Sequence, residues 1–160
     1  MKIQKLLRNE RGDMTIAAVF LILILNILIA FLLLFTTVQI QSANIRSKVK
    51  MELNNLSAVI SKDTYEAMRE GNLEEYAKRC KSPRYQFYLT VIFQKRLEAA
   101  LDKITDNYMI YNDQLYVQQK NDRIEFTYNC VVRFQVSMMG DKYSVYTKRI
   151  NITGYHVTKF

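Results

Sequence analysis

The chain has 160 residues and a mass of 18.9 kDa, which is room for one modest domain and excludes a multidomain enzyme. Apolar residues make up 49% of it, an ordinary proportion for a globular protein, but they are unevenly distributed. Residues 16–35 contain a single polar residue, Asn26. As a helix these residues would span about 30 Å, the hydrocarbon thickness of a bilayer. The sequence therefore predicts that this run is a membrane anchor attached to a folding domain, and not a secretion signal that is cleaved off, which disfavours a soluble cytoplasmic enzyme.

Basic residues flank the apolar run on both sides and contribute to the net charge of +8. The segment before the run is short, so its positive charges should keep the N-terminus in the cytoplasm. We therefore expect a cytoplasmic leader (1–12), a transmembrane helix (13–38) and an extracytoplasmic remainder. The basic residues before the run are Lys2, Lys5, Arg8 and Arg11, and those after it are Arg46, Lys48 and Lys50.

A helical stripe continues beyond the membrane run, with apolar residues at spacings near three and four. No proline or glycine interrupts the chain between Asp13 and Gly71, so one helix should pass from the membrane into an exposed stalk (39–71). Gly71-Asn72 should end the stalk, and Leu73 to Arg79 should form a short helix. The stripe consists of Ile40, Ala43, Ile45, Val49, Leu53, Leu56 and Ile60.

Ser82-Pro83 marks another helix start, because serine can cap a helix and proline suits its first position. Apolar residues then fall on one face as far as Ile104, which predicts an amphipathic helix packed on a sheet. The apolar face consists of Tyr85, Leu89, Ile92, Phe93, Leu97, Ala100, Leu101 and Ile104.

From Tyr108 onwards the period of the apolar residues changes to two, most clearly over 123–138, which predicts a long strand with one buried face. Turn-forming residues at 112–113, 120–122 and 140–141 divide this region into strands near 108–111, 114–119, 123–138 and 142–153. A shift in apolar parity predicts a bulge near Lys148 or Arg149. The fold class is therefore α+β, with a four-stranded antiparallel sheet in a domain over 72–160.

Residues for catalysis are sparse. The chain has one histidine, His156, and its two cysteines lack the spacing of a metal site, so we expect no metal, no cofactor and no enzymatic activity. The positive charge and the 11 tyrosines are compatible with nucleic-acid binding, but the basic residues are scattered and match no RNA-binding motif. We expect no nucleic-acid partner, and a basic exterior also suits an anionic membrane surface.

Three further residues have two interpretations each. Asn26 can hydrogen-bond a neighbouring membrane helix and promote self-association, or it can be a tolerated polar residue in the span. Cys80 and Cys130 can pair as a disulfide in an oxidising compartment or remain free thiols.

Arg11-Gly12, followed by Asp13-Met14-Thr15-Ile16-Ala17-Ala18-Val19-Phe20, resembles the N-terminus of type IV pilin-like proteins, in particular the TadE-like minor pilins. The resemblance implies cleavage by a prepilin peptidase after Gly12, with Asp13 as the first mature residue. It also implies a helix that packs in a filament. The chain departs from the family at the fifth mature position, where Ala17 stands in place of the common glutamate.

The resemblance and the predicted architecture together imply a non-enzymatic pilin-like subunit of a surface pilus, secretion or conjugation apparatus. Its partners would be the membrane and other pilin-like subunits or assembly machinery, including a second copy of the chain. The alternative is a single-pass scaffold or ligand-binding module of another envelope complex, for which the span is only an anchor.

Overall fold

The computed structural model describes residues 3–120, 123–138 and 140–157, and it describes side chains from Ile16 onwards except at Lys120 and Met138. The chain divides into two compact units, Met1–Ser42 and Ala43–Phe160. The first unit contains the apolar run, and the second contains the rest of the long helix together with all the other helices and strands described.

One α-helix, α1, runs continuously over Ile3–Arg69. Its continuity follows from the sequence, because no proline or glycine after Gly12 lies within it to break the backbone hydrogen bonds. In the Ala43–Phe160 unit the apolar stripe of α1 is buried from Ile45 to Ile60, whereas Ala43 is exposed. This stretch was predicted as an exposed stalk, and its apolar side forms part of the core.

Two shorter helices follow α1. The chain turns at Gly71, whose φ of 74° is readily adopted by glycine, and α2 then runs over Leu73–Cys80. Helix α3 covers Pro83–Ala100 and is capped by Ser82, whose hydroxyl oxygen accepts a hydrogen bond from the Tyr85 amide at 3.3 Å. Both starts agree with the sequence prediction.

Helix α3 ends four residues earlier than the predicted Ile104. Leu101 adopts an extended conformation, and Ile104 forms a β-bridge with Met109. The aliphatic residues after Ala100 therefore continue the apolar pattern without continuing the helix.

The sheet has three antiparallel strands in the order β1-β2-β3: β1 Tyr108–Lys120, β2 Arg123–Met138 and β3 Asp141–Val157. The bounds of β2 are those predicted. The prediction of four strands is wrong because Asn112 and Asp113 do not turn the chain back. They form a bulge, where the register jumps from Tyr111 to Gln114 and Asn112 has a φ of 52°, and the strand then continues.

A second bulge lies on β3, but at Val145 rather than near the predicted Lys148 or Arg149. Phe134 pairs with Tyr146 and Gln135 pairs with Ser144, which leaves Val145 without a cross-strand partner. The parity change in the sequence was therefore interpreted correctly as a bulge and placed three residues too late.

One face of the sheet forms the core with α1 and α3. The ring of Phe93 on α3 lies 5.3 Å from the ring of Tyr128 on β2, centroid to centroid, and both side chains are almost completely buried. At Gly154 on β3, an added Cβ would lie 3.7 Å from the Cβ of Leu53 on α1, so the helix passes close to this strand. The buried residues of β2 are Ile124, Phe126, Tyr128, Cys130, Val132 and Phe134.

Candidate functional site

The apolar segment of α1, residues 16–35, is exposed along nearly its whole length. Phe20 is 62% exposed, Leu21 is 68% exposed and Phe31 is 66% exposed. An apolar surface of this extent exceeds what soluble monomers leave in contact with water, so it requires lipid or another protein around it. Among the described residues this helix is the one candidate membrane span, by its length and composition.

Polar side chains in and after this segment bond to the backbone of their own helix. The Asn26 Nδ2 donates a hydrogen bond to the Ile22 carbonyl at 2.8 Å. The hydroxyl of Thr36 donates to the Leu32 carbonyl in the same way, also at 2.8 Å. One amide hydrogen of Asn26 is therefore satisfied within the helix, which lowers the cost of placing this residue in lipid. Its role in contacts between helices stays a prediction.

Gly12 and Asp13, the residues of the predicted processing site, lie within α1. The Asp13 side chain is outside the part of the chain for which side chains are described. Ala17, four residues after Asp13, is exposed on the helix.

A tyrosine cluster, defined here as Asp63, Tyr76 and Tyr85, joins the end of α1 to α2 and α3. The Tyr85 hydroxyl donates to Asp63 Oδ2 at 3.3 Å and lies 3.0 Å from the Tyr76 hydroxyl. The guanidinium carbon of Arg79 lies 5.4 Å from the centre of the Tyr76 ring and 5.5 Å from that of Tyr85. The turn at Gly71 brings α2 close to the end of α1, and the hydrogen bonds of the cluster hold the two helices together.

Burial raises the pKa values of the tyrosines in this cluster. It raises the pKa of Tyr76 to about 12, and it also raises the pKa of Tyr85 and of the neighbouring Cys80 thiol. These groups are therefore neutral at physiological pH and act as hydrogen-bonding and packing groups rather than as nucleophiles.

Beside the cluster lies an open pocket with carboxylates on its walls and Arg79 as its one basic lining residue among the described residues. In the same part of the chain, no group of three or more His, Cys, Asp or Glu side chains is arranged to hold a metal ion. The pocket is lined by Asp63, Glu66, Ala67, Glu70, Asn72, Glu75, Tyr76 and Arg79.

His156 tethers the end of β3 to α1. Its Nδ1 lies 2.7 Å from the Ser57 hydroxyl oxygen, and burial lowers the pKa of the ring. A neutral imidazole at physiological pH makes this bond without placing a charge against the core.

Cys80 and Cys130 are both free and buried, so the bridge that the sequence allows is not formed in the structure. Burial raises the pKa of the Cys130 thiol to about 11. Because the thiolate is the reactive form, both side chains should be inert in the folded protein.

We therefore expect both cysteines to resist a thiol reagent until the protein unfolds. Labelling the full chain in mild detergent with an aromatic disulfide reagent should release little thiolate, and adding denaturant should expose two thiols. If no thiol reacts in denaturant until the protein has been treated with a reductant, the two cysteines form a disulfide instead.

Sequence reasoning missed the tyrosine cluster and the bond between Ser57 and His156. Tyr85 was assigned to an apolar helix face, and nothing in the local pattern links it to Asp63, 22 residues earlier. The one available signal was the glycine turn at Gly71, which indicates that α2 reverses against the end of α1.

No family model, no curated protein and no solved structure matches this chain.

Proposed function

We propose that the protein is a non-enzymatic pilin-like subunit of a surface pilus, secretion or conjugation apparatus. The observation that carries the proposal is the helix α1. An exposed apolar segment and a stripe buried under an antiparallel sheet belong to one uninterrupted helix. This combination is what a subunit needs in order to be stored in a membrane and then assembled through its apolar helix.

Assembly in this proposal depends on apolar packing between copies of residues 16–35. Helices in lipid associate by close packing and hydrogen bonds, since lipid solvates apolar side chains as well as protein does. Ala17 supplies no carboxylate to pair with the amine of a neighbouring subunit, so the packing of apolar side chains has to determine the register between subunits.

The orientation forms part of the same proposal. The short basic leader stays in the cytoplasm, and the Ala43–Phe160 unit lies on the outer side of the membrane. Residues exposed on that unit then form contacts with other subunits or with the assembly machinery.

The competing function is a single-pass scaffold or ligand-binding module of another envelope complex. Ala17 favours it, because a module that is only anchored has no need of the missing carboxylate. So does the outer face of the sheet, where Gln114, Asn129 and Asn151 lie side by side across the three strands and offer polar side chains to a partner.

The intact mass of the protein purified from its native membrane separates the two functions. We expect a species that lacks residues 1–12, because a prepilin peptidase would cut after Gly12. A Gly12→Leu variant, expressed in the same way, should retain the leader and fail to assemble. A full-length mass for the unaltered protein would contradict the pilin proposal and leave the anchored module.

A further inference from the structure

The β2–β3 hairpin carries apolar and aromatic side chains that the core does not cover. Tyr143 is 57% exposed, Tyr146 is 50% exposed and Val136 is 38% exposed. Val136 pairs with Tyr143, and Tyr146 stacks on Phe134 at 6.4 Å between ring centres. These residues continue the core-facing rows of the sheet past the point where the core ends.

Two contacts fix the direction of this hairpin within the Ala43–Phe160 unit. Leu53 of α1 lies against Gly154, and Ser57 bonds to His156, so residue numbers increase in the same direction along α1 and β3. The earlier residues of β3 therefore lie towards Ala43, and the turn at Gly140 lies at that same end of the unit.

The lengths of the two elements place the hairpin at the end of the unit that contains Ala43. From Ser57 back to Ala43 the helix runs about 21 Å. From His156 back to Tyr143 the strand runs about 43 Å, roughly twice that length. Tyr143 therefore lies at the end of this unit from which the chain leads back to the apolar run.

The membrane expected around residues 16–35 begins close to that end. Phe35 precedes Ala43 by eight residues, which span at most about 12 Å of helix. Tyrosine is enriched where a bilayer meets water, because its ring is apolar and its hydroxyl is polar. Exposed tyrosines at this end of the unit have the chemistry of that boundary.

The positive charge at this end of the unit also favours a lipid bilayer as its partner. The first turns of the unit carry Arg46, Lys48 and Lys50, all exposed, and residues 43–51 contain no acidic side chain. At the hairpin itself Lys142 is paired with Asp106 at 2.9 Å and Asp141 is exposed, so the positive charge at this end comes from α1 and from the exposed Arg149 of β3. Clustered Lys and Arg beside a membrane helix bind anionic headgroups.

We propose that the β2–β3 hairpin rests on the bilayer, with Tyr143 and Tyr146 at the lipid interface and the adjoining basic residues on anionic phospholipid headgroups. The proposal requires that the apolar run of α1 spans the membrane, and it does not require that the protein forms a pilus. The contact holds the folded unit by a second point of attachment besides the helix itself.

The test uses the absence of tryptophan from the chain. Three full-length variants, Tyr143→Trp, Tyr155→Trp and Phe31→Trp, each carry a single tryptophan, which is excited at a wavelength where tyrosine does not absorb. They are reconstituted into phosphatidylcholine–phosphatidylglycerol vesicles whose acyl chains are brominated near the glycerol end. Tyr155 is the matched control, because it lies on the same strand, is 67% exposed and is near the opposite end of β3.

We expect the tryptophan at position 143 to emit at shorter wavelength and to lose most of its fluorescence to the brominated lipid. The tryptophan at position 155 should keep its fluorescence. In vesicles of neutral lipid alone, quenching at position 143 should weaken, and equal quenching there would overturn the assignment to anionic headgroups.

The Phe31→Trp variant separates the ways in which the proposal can fail. If position 31 is quenched by lipids brominated deeper in the chain but position 143 is not quenched, the hairpin proposal is overturned and the membrane anchor stands. If position 31 is not quenched either, the anchor and the hairpin proposal both fall. Blue-shifted emission at position 143 without quenching would show that a second protein copy covers the hairpin, which also overturns the lipid contact.

Discussion

Replacing Phe93 by alanine is expected to lower the free energy of unfolding of the Ala43–Phe160 unit by about 3–5 kcal/mol. The Phe93 side chain is fully inaccessible, and its ring packs on that of Tyr128 between α3 and the sheet. The substitution removes buried apolar surface and leaves a cavity that two rigid layers cannot close. This loss is a large fraction of the stability of an ordinary domain.

Urea unfolding of the full chain in a mild nonionic detergent, followed through the circular dichroism of the sheet, measures this effect. Phe87→Ala is the matched control, because Phe87 lies on the same helix but is 71% exposed, and it should change stability by less than about 0.5 kcal/mol. Equal midpoints for the two variants would show that α3 does not pack on the sheet as described.

Strong alkali should unfold the protein through its buried tyrosines. Burial raises the pKa of Tyr76 to about 12 from an ordinary 10.0, and it raises the pKa of Tyr85 and Tyr128 in the same direction. The folded state therefore holds these protons at a pH where the unfolded chain has released them. Their contribution is complete below about pH 10 and decreases above it, and that of Tyr76 is lost as the pH rises through 12. The two buried thiols change the free energy of unfolding in the same direction. Their effect begins near pH 9, because their ordinary pKa is 9.0.

A Tyr85→Phe variant isolates the contribution of the tyrosine cluster. At neutral pH it should lose about 1 kcal/mol, because Asp63 and Tyr76 each lose a hydrogen-bond partner. Between neutral pH and about pH 11.5 its urea midpoint should fall less than that of the unaltered protein, since one titrating hydroxyl is gone. Tyr88→Phe, on the same helix and 47% exposed, should follow the unaltered protein. Parallel curves for all three would exclude the cluster as the source of the alkaline sensitivity.

The periodic parts of the fold were predictable because their patterns are local. Alternation over 123–138 gave the bounds of β2, and Ser82-Pro83 gave the start of α3. Asn112 misled the prediction because asparagine adopts a positive φ both in hairpin turns and in bulges, and only the pairing of Tyr111 and Gln114 with β2 distinguishes them.

The contacts between distant elements were not predictable from one sequence. The bonds from Tyr85 to Asp63 and from Ser57 to His156 depend on how helices and strands pack, which no local pattern encodes. The apolar run was evident from composition, whereas the direction of the hairpin required the packing of Leu53 on Gly154.

That packing also has a consequence during synthesis. Leu53 leaves the ribosome 101 residues before Gly154, the strand residue against which it packs. At about 5–20 residues per second, the apolar stripe of α1 waits about 5–20 s for its sheet. Throughout this interval the apolar stripe is exposed and can associate with other chains. The order of synthesis therefore leaves α1 open to association with neighbouring chains until its last strand has been made.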